Sequence, residues 1–411
     1  MFLRALWRRL TGRSGSTLFT PEVLEDPYPL YRRLRSEDPI HWDDGDERWM
    51  LTRYADVVAV LRHPAASSDR VQALRRFVPS HLRPLMDLRT NSMLNCDAPR
   101  HTRLRLLVNK AFTARAVETL ADKIRHLLDG MLDALQPRGR MDVMADLAHP
   151  LPVIVIAEML GVPPEDRPLF KRWSHDLSLL AGGAGSPRGL STKDYTQSAD
   201  SFGELSRYIG DIVAKRRTDP RRDLLTALGQ AEEAGDRLTE QELYANSALL
   251  LVAGHETTTN LIGNGTYALL RNPDQLDRLR RDPTLIPSAV EEFLRYESPV
   301  QFVTRLLKED LTLGGKQLRA GQTMLAMLGA ANHDPEQFAD PDRIDVGRPD
   351  NKHVAFGLGT HFCLGAQLAR LEGRIVFETL LRRLPNLRLD GEVRHRKHFN
   401  LRGLETLPVA V

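Results

Sequence analysis

Along most of the chain, apolar residues recur at intervals of three and four, the spacing that gathers them on one face of a helix. The plainest stretch is LTEQELYANSALLLVAGHETTTNLIGNGTYALLRNP, Leu238 to Pro273. Thr239 and Glu242 have the spacing of a capping box, and Pro273 supplies a stop. From Ala248 to Ala253 the pattern is apolar on every side, which predicts a helix buried through the protein centre. Strand-like alternation is short and clusters near the two ends: HWDDGDERWMLTRY (41–54), DLTLGGKQLRAGQTMLA (310–326) and LRGLETLPVAV (401–411). Gly314 and Gly315 read as a hairpin turn. The expected fold is mainly α with a minor β region. No internal repeat or low-complexity linker divides the sequence, so one domain over residues 1–411 is expected. Two stretches, Arg62–Asp97 and Ala181–Asp200, read as long irregular loops, and such loops tend to be functional lids.

Inside the long helix, local preference and global pattern conflict. The apolar run is followed by Gly254, His255, Glu256, Thr257, Thr258 and Thr259. Glycine costs about 1 kcal/mol relative to alanine in a helix, and threonine is β-branched. The Thr257 hydroxyl can bond the carbonyl of Ala253 or Gly254 and open the ladder locally. Such conflicts are expected at functional sites. Glu256 and Thr257 could pass protons to something bound at the groove; the alternative is a tolerated polar patch in a core helix. A second helix, IPSAVEEFLRYESP, puts Glu292 and Arg295 on one face among Val290, Phe293 and Leu294. On the surface, pairs of that spacing are common and contribute little.

Composition narrows the classes. The chain has 411 residues, 42% hydrophobic and 27% charged, and a formal net charge of +3. That is an ordinary globular balance with no bulk argument for nucleic-acid binding. No run of about 18 uninterrupted apolar residues predicts a membrane span. MFLRALWRRLTGR at the N-terminus has four arginines, no acid and no signal-like apolar core. It reads as a flexible basic terminus over residues 1–15, with a surface-binding amphipathic helix as the alternative. The two cysteines, Cys96 and Cys363, lie far apart and lack CxxC or zinc spacing. A disulfide framework is therefore not expected, and a reducing cytoplasm fits.

Cys363 stands in FGLGTHFCLG, just before the helical pattern LGAQLARLEGRIVFETLLRRL. Unpaired amides and the dipole at a helix N-terminus favour a thiolate. Gly357, Gly359 and Gly365 allow tight turns and close approach to a flat ligand. A thiolate with no metal-ligating neighbours suits a metal that brings its own equatorial ligands, as haem iron does. A lone buried cysteine is more often inert packing, but packing does not explain the glycines. A haem needs cations for its propionates. His101 and Arg105 lie four apart on one helix face, and Arg305 and His361 are further candidates.

With these residues in hand, the chain resembles a cytochrome P-450, a haem-thiolate monooxygenase of the soluble bacterial type, over nearly its whole length. Phe356, Gly359, His361, Cys363 and Gly365 match the haem-binding signature F-x-x-G-x-H/R-x-C-x-G. Ala253, Gly254, Glu256, Thr257 and Thr258 match the oxygen-activating pattern, and Glu292 with Arg295 matches E-x-x-R. The resemblance implies haem b with Cys363 as axial thiolate and Phe356 packed beside the sulfur. It implies His101, Arg105, Arg305 and His361 on the propionates, and Ala253 near the ring. It also implies proton delivery by Glu256 and Thr257, and a structural network of Glu292, Arg295 and Arg343. A substrate pocket is expected at Leu249, Val252, Ala253, Val300, Phe302 and Val303 and the turn near Leu401–Leu404. Those positions suit a hydrophobic small molecule, such as a secondary metabolite, that is hydroxylated or epoxidised with O2. Arg70, Arg75 and Arg76 could meet an acidic substrate group or a carrier protein, or simply be solvated. Electrons are expected from a ferredoxin-type donor and its reductase, docking near Arg103, Lys110 and Arg370 on a cytoplasmic monomer. The alternatives are a peroxide-driven oxygenase and a non-catalytic haem sensor or carrier.

Overall fold

The structure, a computed structural model, describes Leu18 and residues 20–71, 83–183, 191–233 and 235–411. The basic terminus 1–15, Arg75 and Arg76 lie outside the described residues. Helices dominate. Those of nine or more residues among the described residues are α1 (Tyr28–Glu37), α2 (Tyr54–Arg62), α3 (Arg83–Asn91), α4 (Arg100–Ala111), α5 (Ala121–Leu135), α6 (Pro150–Leu160), α7 (Arg167–Gly183), α8 (Thr192–Thr218), α9 (Glu240–Arg271), α10 (Pro273–Arg281), α11 (Ile286–Tyr296) and α12 (Ala366–Arg383).

The central helix α9 starts where the sequence places it, at a capping box in which the Thr239 side chain and Glu242 each accept a backbone N–H of the other. It is buried along most of its length and packs against α3, α6, α7, α8, α11 and α12. Small residues permit that crowding: a Cβ at Gly265 would come within 2.6 Å of Phe377 and 2.8 Å of Phe293. Val143–Leu160, a π-helical turn running into α6, is apolar and long enough to cross a membrane by length and composition. It is 67% buried inside the fold and lines α9, so its hydropathy serves the core.

Strands β1 (Ile40–Asp43), β2 (Arg48–Leu51), β3 (Ala66–Ser67), β4 (Val303–Leu307) and β5 (Thr323–Ala326) form a mixed sheet in the order β1-β2-β5-β4-β3. The β1–β2 hairpin and β5 match the expected strand pieces. So does the hairpin Leu311–Leu313 with Lys316–Leu318, turned by Gly314 and Gly315 at φ 53° and 77°. The β4 strand carries Arg305 and follows α11 through the turn at Pro299.

The two expected loops are largely ordered. The first holds β3, α3 and a 3₁₀ turn at Met93–Asn95. In the second, α7 reaches Gly183 and α8 begins at Thr192, where Ser191 and Asp194 form another capping box. Ser and Thr in that stretch are helix-starting chemistry, which its Gly- and Ser-rich surroundings disguised. Residues 72–82 and 184–190 lie outside the described residues.

Candidate active site

Residues 356–365 fold into a loop closed by backbone bonds. The Cys363 N–H donates to the Phe356 carbonyl at 2.9 Å, and the Phe362 N–H to that of Gly359 at 3.0 Å. Gly357 and Gly359 have φ of 68° and 74°, where residues with a Cβ are strained. At Gly359 a Cβ would also stand 3.0 Å from the Leu61 carbonyl oxygen at the end of α2. Gly365 differs: its φ of −80° is ordinary, and it serves as N-cap of α12.

Cys363 is exposed, yet protein crowds its sulfur. Burial pushes the thiol up, while amides of Gly365 and Ala366 and the cations Arg105 and Arg370 pull it down. The net direction is upward, so the helix end alone does not produce the thiolate expected from sequence; coordination to a metal deprotonates a thiol outright. Among the described residues no three His, Cys, Asp or Glu side chains gather as a metal-ion site. A metal at Cys363 must therefore bring its remaining ligands. Cys96 is a different case: it is buried, pushed up to about 11 by desolvation, and bonded through its S–H to the Met93 carbonyl.

Arg370 was expected on a docking surface. It instead lies over the Phe356 ring, 4.6 Å from its centroid, and is bidentate to Glu291 at 2.7 and 2.8 Å. Glu291 also meets His353 Nε2 at 3.1 Å. Burial pushes the Glu291 carboxyl up, but Arg370 and His353 outweigh it and hold it at about 2. Arg103 and Lys110 are engaged as well. Arg103 pairs with Asp236 and Glu242, and Lys110 donates to the Glu232 carbonyl. The three therefore form no free basic patch.

The four proposed propionate ligands gather near one another, with Arg105 reaching the cysteine. The His101 and His361 rings meet with centroids 4.0 Å apart and planes tilted by 42°, and the buried Nε2 of His101 has no hydrogen-bond partner. Burial, His101 and Arg305 push His361 down to about 3, and burial with Arg105 lowers His101. Both imidazoles are thus neutral near pH 7, able to donate an N–H. Arg105 lies within electrostatic reach of Cys363. Arg305 is buried on β4, with its Nη1 donating to the Thr304 carbonyl at 3.0 Å. Orphaned nitrogen and crowded cations fit a group that carries two carboxylates, as haem does.

On α9 the accessible residues form a stripe. Leu249, Val252 and Thr257 are half-buried and Ala253 is exposed, while Leu250, Leu251, His255, Glu256 and Thr258–Thr266 are buried. The spacing i, i+3, i+4, i+8 is one helix face. Thr257 Oγ1 donates to the Ala253 carbonyl at 2.7 Å, the local loosening anticipated above. Glu256 and Thr257 are both one turn beyond Ala253. Glu256 is ion-paired with Arg396, a partner 140 residues away that no local signal marks. Burial pushes the Glu256 carboxyl up, but Arg396 and His255 bring it below the ordinary range. His255 is held in one tautomer. Its Nε2–H donates to the His149 carbonyl at 3.2 Å, and the Ser174 hydroxyl at 2.8 Å faces Nδ1.

The E-x-x-R pair is fully buried and bidentate, with both Arg295–Glu292 bonds at 2.8 Å. The third arginine is Arg348, not Arg343. Arg348 Nε lies 3.1 and 3.0 Å from the two Glu292 oxygens. The Arg343 side chain is exposed, and only its carbonyl takes part, accepting from Arg295 and Arg348. Asn351 and the Asp345 N–H complete the carboxylate's shell.

Of the expected pocket residues, Phe302 does not belong. It is 2% exposed and stacked on Phe399 in a cluster with Tyr31 and Met50. Its neighbour Val303 is half-buried. Successive residues of an extended segment point to opposite sides, so the two cannot line one pocket. Val300, also half-buried, bridges to Leu401. Arg402 and Leu404 of that turn are buried, and Arg402 is paired with Glu297.

Comparison with known proteins agrees with this geometry. The chain belongs to the cytochrome P450 family, whose model matches residues 46–400. It is 44% identical to cytochrome P450 monooxygenase PikC of Streptomyces venezuelae, covering 93% of this chain and 91% of that one. It is 43% identical to vitamin D(3) 25-hydroxylase of Pseudonocardia autotrophica over 98% of each. The solved structure of P450BioI with a hexadec-9Z-enoic acid ligated acyl carrier protein superposes with a TM-score of 0.88 at 37% identity, covering 95% of this chain and 98% of that one. The chain is a cytochrome P450 monooxygenase with the P450 fold, and the family implies a haem-thiolate cofactor.

Proposed function

We propose that Cys363 would supply the thiolate ligand of haem b, and that the protein oxygenates an apolar small molecule held against Leu249, Val252, Ala253, Val300 and Val303. One observation carries this reading: the accessible Cys363 lies within electrostatic reach of Arg105, and His361, two residues before it, meets a neutral His101 ring and the Arg305 cation. That set matches a ligand with one metal and two carboxylates. When bound, the haem supplies the chemistry that activates O2 and inserts one oxygen atom. The chain's own residues do the rest. Arg105 and Arg305 hold carboxylates, and the imidazoles donate N–H bonds. Phe356, steadied by Arg370, screens the sulfur from water. Thr257 Oγ1 can donate toward the groove once its bond to the Ala253 carbonyl is released, and Glu256 can resupply its proton when the Arg396 pair opens. Glu292, Arg295 and Arg348 keep the surrounding chain in register.

The names of two similar proteins point to vitamin D and to a fatty acyl group, and a mostly apolar pocket suits such substrates. Electrons come from a separate ferredoxin-type protein with its reductase. With Arg103, Lys110 and Arg370 engaged, its contact centres on the exposed Phe362 and Leu106. A peroxide-driven enzyme or a haem sensor has no need of a Glu256–Thr257 pair.

Reduced protein under carbon monoxide should show the red-shifted Soret band of thiolate ligation, and Cys363→Ser should lose it. A histidine-type band in folded wild-type protein refutes the reading. Thr257→Ala should divert reducing equivalents from product to peroxide, and unchanged coupling refutes the proton role.

A further inference from the structure

One short piece of chain touches both the pocket wall and Glu256. Residues 394–406 form a hairpin in which Arg394–His395 pair with Leu404–Thr406, with a register shift between Arg394 and His395. The Arg396 N–H closes the base of its turn, donating to the Gly403 carbonyl at 3.0 Å. Within the turn, the His398 N–H donates to the Arg396 carbonyl at 2.7 Å, and the Leu401 N–H to His398 Nδ1 at 2.8 Å.

The outer limb of the turn belongs to the pocket. Leu401 bridges Val300, the Gln301 N–H donates to the Asn400 carbonyl at 2.8 Å, and the Arg402 N–H to that of Pro299 at 3.0 Å. The inner limb lies along α9, on the face that carries Glu256, Asn260 and Asn264 at intervals of four. At one end Arg402 is fixed. Its carbonyl accepts from Asn264 Nδ2 at 3.1 Å, and its guanidinium meets Glu297 at 2.7 Å and the Glu25 carbonyl at 3.1 Å. At the other end Arg396 holds the buried Glu256 carboxylate.

Between those ends the contact is close but unbonded. A Cβ at Gly403 would overlap Asn260 Oδ1, and neither polar atom of this fully buried amide has a hydrogen-bond partner. An unspent buried amide is costly, so the middle of the contact disfavours the closed turn and the Arg396–Glu256 pair opposes it. The groups facing Glu256 are Arg396, His255 and His149. Burial lowers both histidines, and His255 is bonded at both nitrogens. Arg396 is the permanent cation of the three, and its side chain is 27% exposed, so water can receive it.

We propose that Arg396 is a positioning residue through which the pocket governs Glu256: an occupant pressing the Val300–Leu401 wall tips the turn about Arg402, draws Arg396 away and releases the carboxylate for proton transfer. The proposal rests on the proton role given to Glu256 above and makes proton supply depend on occupancy. Coupling between two sites is reciprocal. What moves the wall loosens the pair, and loss of the pair loosens the wall.

Hydrogen exchange read at single amides of the haem-loaded protein tests both directions without a substrate. Glu256→Gln removes the charge that holds Arg396. The Gln301 and Arg402 amides should then exchange about five- to a hundredfold faster, the span of typical couplings between sites, while amides of the β1–β2 hairpin keep their rates. Arg396→Met should do the same, and Arg396→Lys, which keeps the cation, should restore most of the protection. In the other direction, Val300→Phe fills space that an occupant would take, and the Arg396 amide should speed up. Gly403→Ala wedges the turn off α9 and should act likewise, with added Asn260→Ala bringing the rate back. Unchanged Gln301 and Arg402 amides in Glu256→Gln overturn the proposal, as does acceleration shared equally by the β1–β2 hairpin. An Arg396→Lys as loose as Arg396→Met, or an unchanged Arg396 amide in Val300→Phe, overturns it too. The coupling of Thr257→Ala and the reduced carbon monoxide spectrum test the proton and haem-thiolate readings separately, since the exchange pattern depends on neither.

Discussion

Arg343 and Arg348 lie five residues apart, and only one of them reaches the buried carboxylate of Glu292. Arg348→Ala removes an Nε–H shared between both Glu292 oxygens at 3.0–3.1 Å and bonds to the carbonyls of Ala339, Asp340 and Arg343. Breaking a buried ion pair by deleting one partner costs about 3–5 kcal/mol. Here Glu292 keeps Arg295, Asn351 and the Asp345 amide, which argues for the lower end. The freed carbonyls add about 1 kcal/mol each where water cannot replace the donor. A total near 4 kcal/mol is roughly a thousandfold in the folding constant, a large share of a typical domain's stability. Arg343→Ala removes an exposed side chain and should stay within about 0.5 kcal/mol. Urea unfolding of both variants, followed by Soret loss and by circular dichroism, measures the difference. Arg348→Lys should fall between, because it keeps the charge but cannot bridge two oxygens. Equal damage from Arg343→Ala, or a neutral Arg348→Ala, refutes the assignment.

Three further outcomes follow from described contacts. Arg396→Met leaves Glu256 buried without its cation, so its carboxyl rises and the acid limb of the turnover–pH profile moves to higher pH. The stability that depressed carboxyl contributes is present above the unfolded value near 4.5 and lost as pH falls through the folded value, and the variant should lack that loss. Glu372 is 1% exposed with an unpartnered Oε2 and is raised by burial to about 8. The folded state therefore holds its proton longer than the unfolded one, and stability falls as pH climbs from about 4.5 to 8; Glu372→Gln should flatten that decline in thermal melts. Phe302→Ala should cost about 3–5 kcal/mol without changing substrate affinity, whereas Val303→Phe should change affinity at little cost in stability; the reverse pattern returns Phe302 to the pocket.

Local order was legible wherever chemistry and period agreed. The capping box at Thr239, the Gly314–Gly315 turn and the helix after Cys363 are all written in adjacent residues. The Thr257 back-bond was equally readable, because its acceptor lies one turn away. Legibility failed where the deciding partner is remote. Nothing near Glu256 names Arg396, and nothing near Glu292 separates Arg348 from Arg343, since chain direction beyond Ile344 settles which guanidinium turns inward. Phe302 and Val303 look alike in an apolar run until an extended backbone sends them to opposite sides. Arg103 and Arg370 read as surface cations because charge suggests solvent, and tertiary partners overrode that default.

Glu291 and Glu292 are neighbours on α11 but serve different structures. Glu292 closes the network with Arg295 and Arg348, while Glu291 grips Arg370, which lies on Phe356 beside the Cys363 loop. One helix turn thus ties the Cys363 loop to the chain around Arg348, the first through the half-buried Glu291–Arg370 pair and the second through the fully buried Glu292 pairs. The Cys363 amide, bonded to the Phe356 carbonyl, should accordingly exchange its hydrogen at the rate of global unfolding. The Cys363 loop then has no private route to disorder, and it opens only together with α11 and the chain around Arg348.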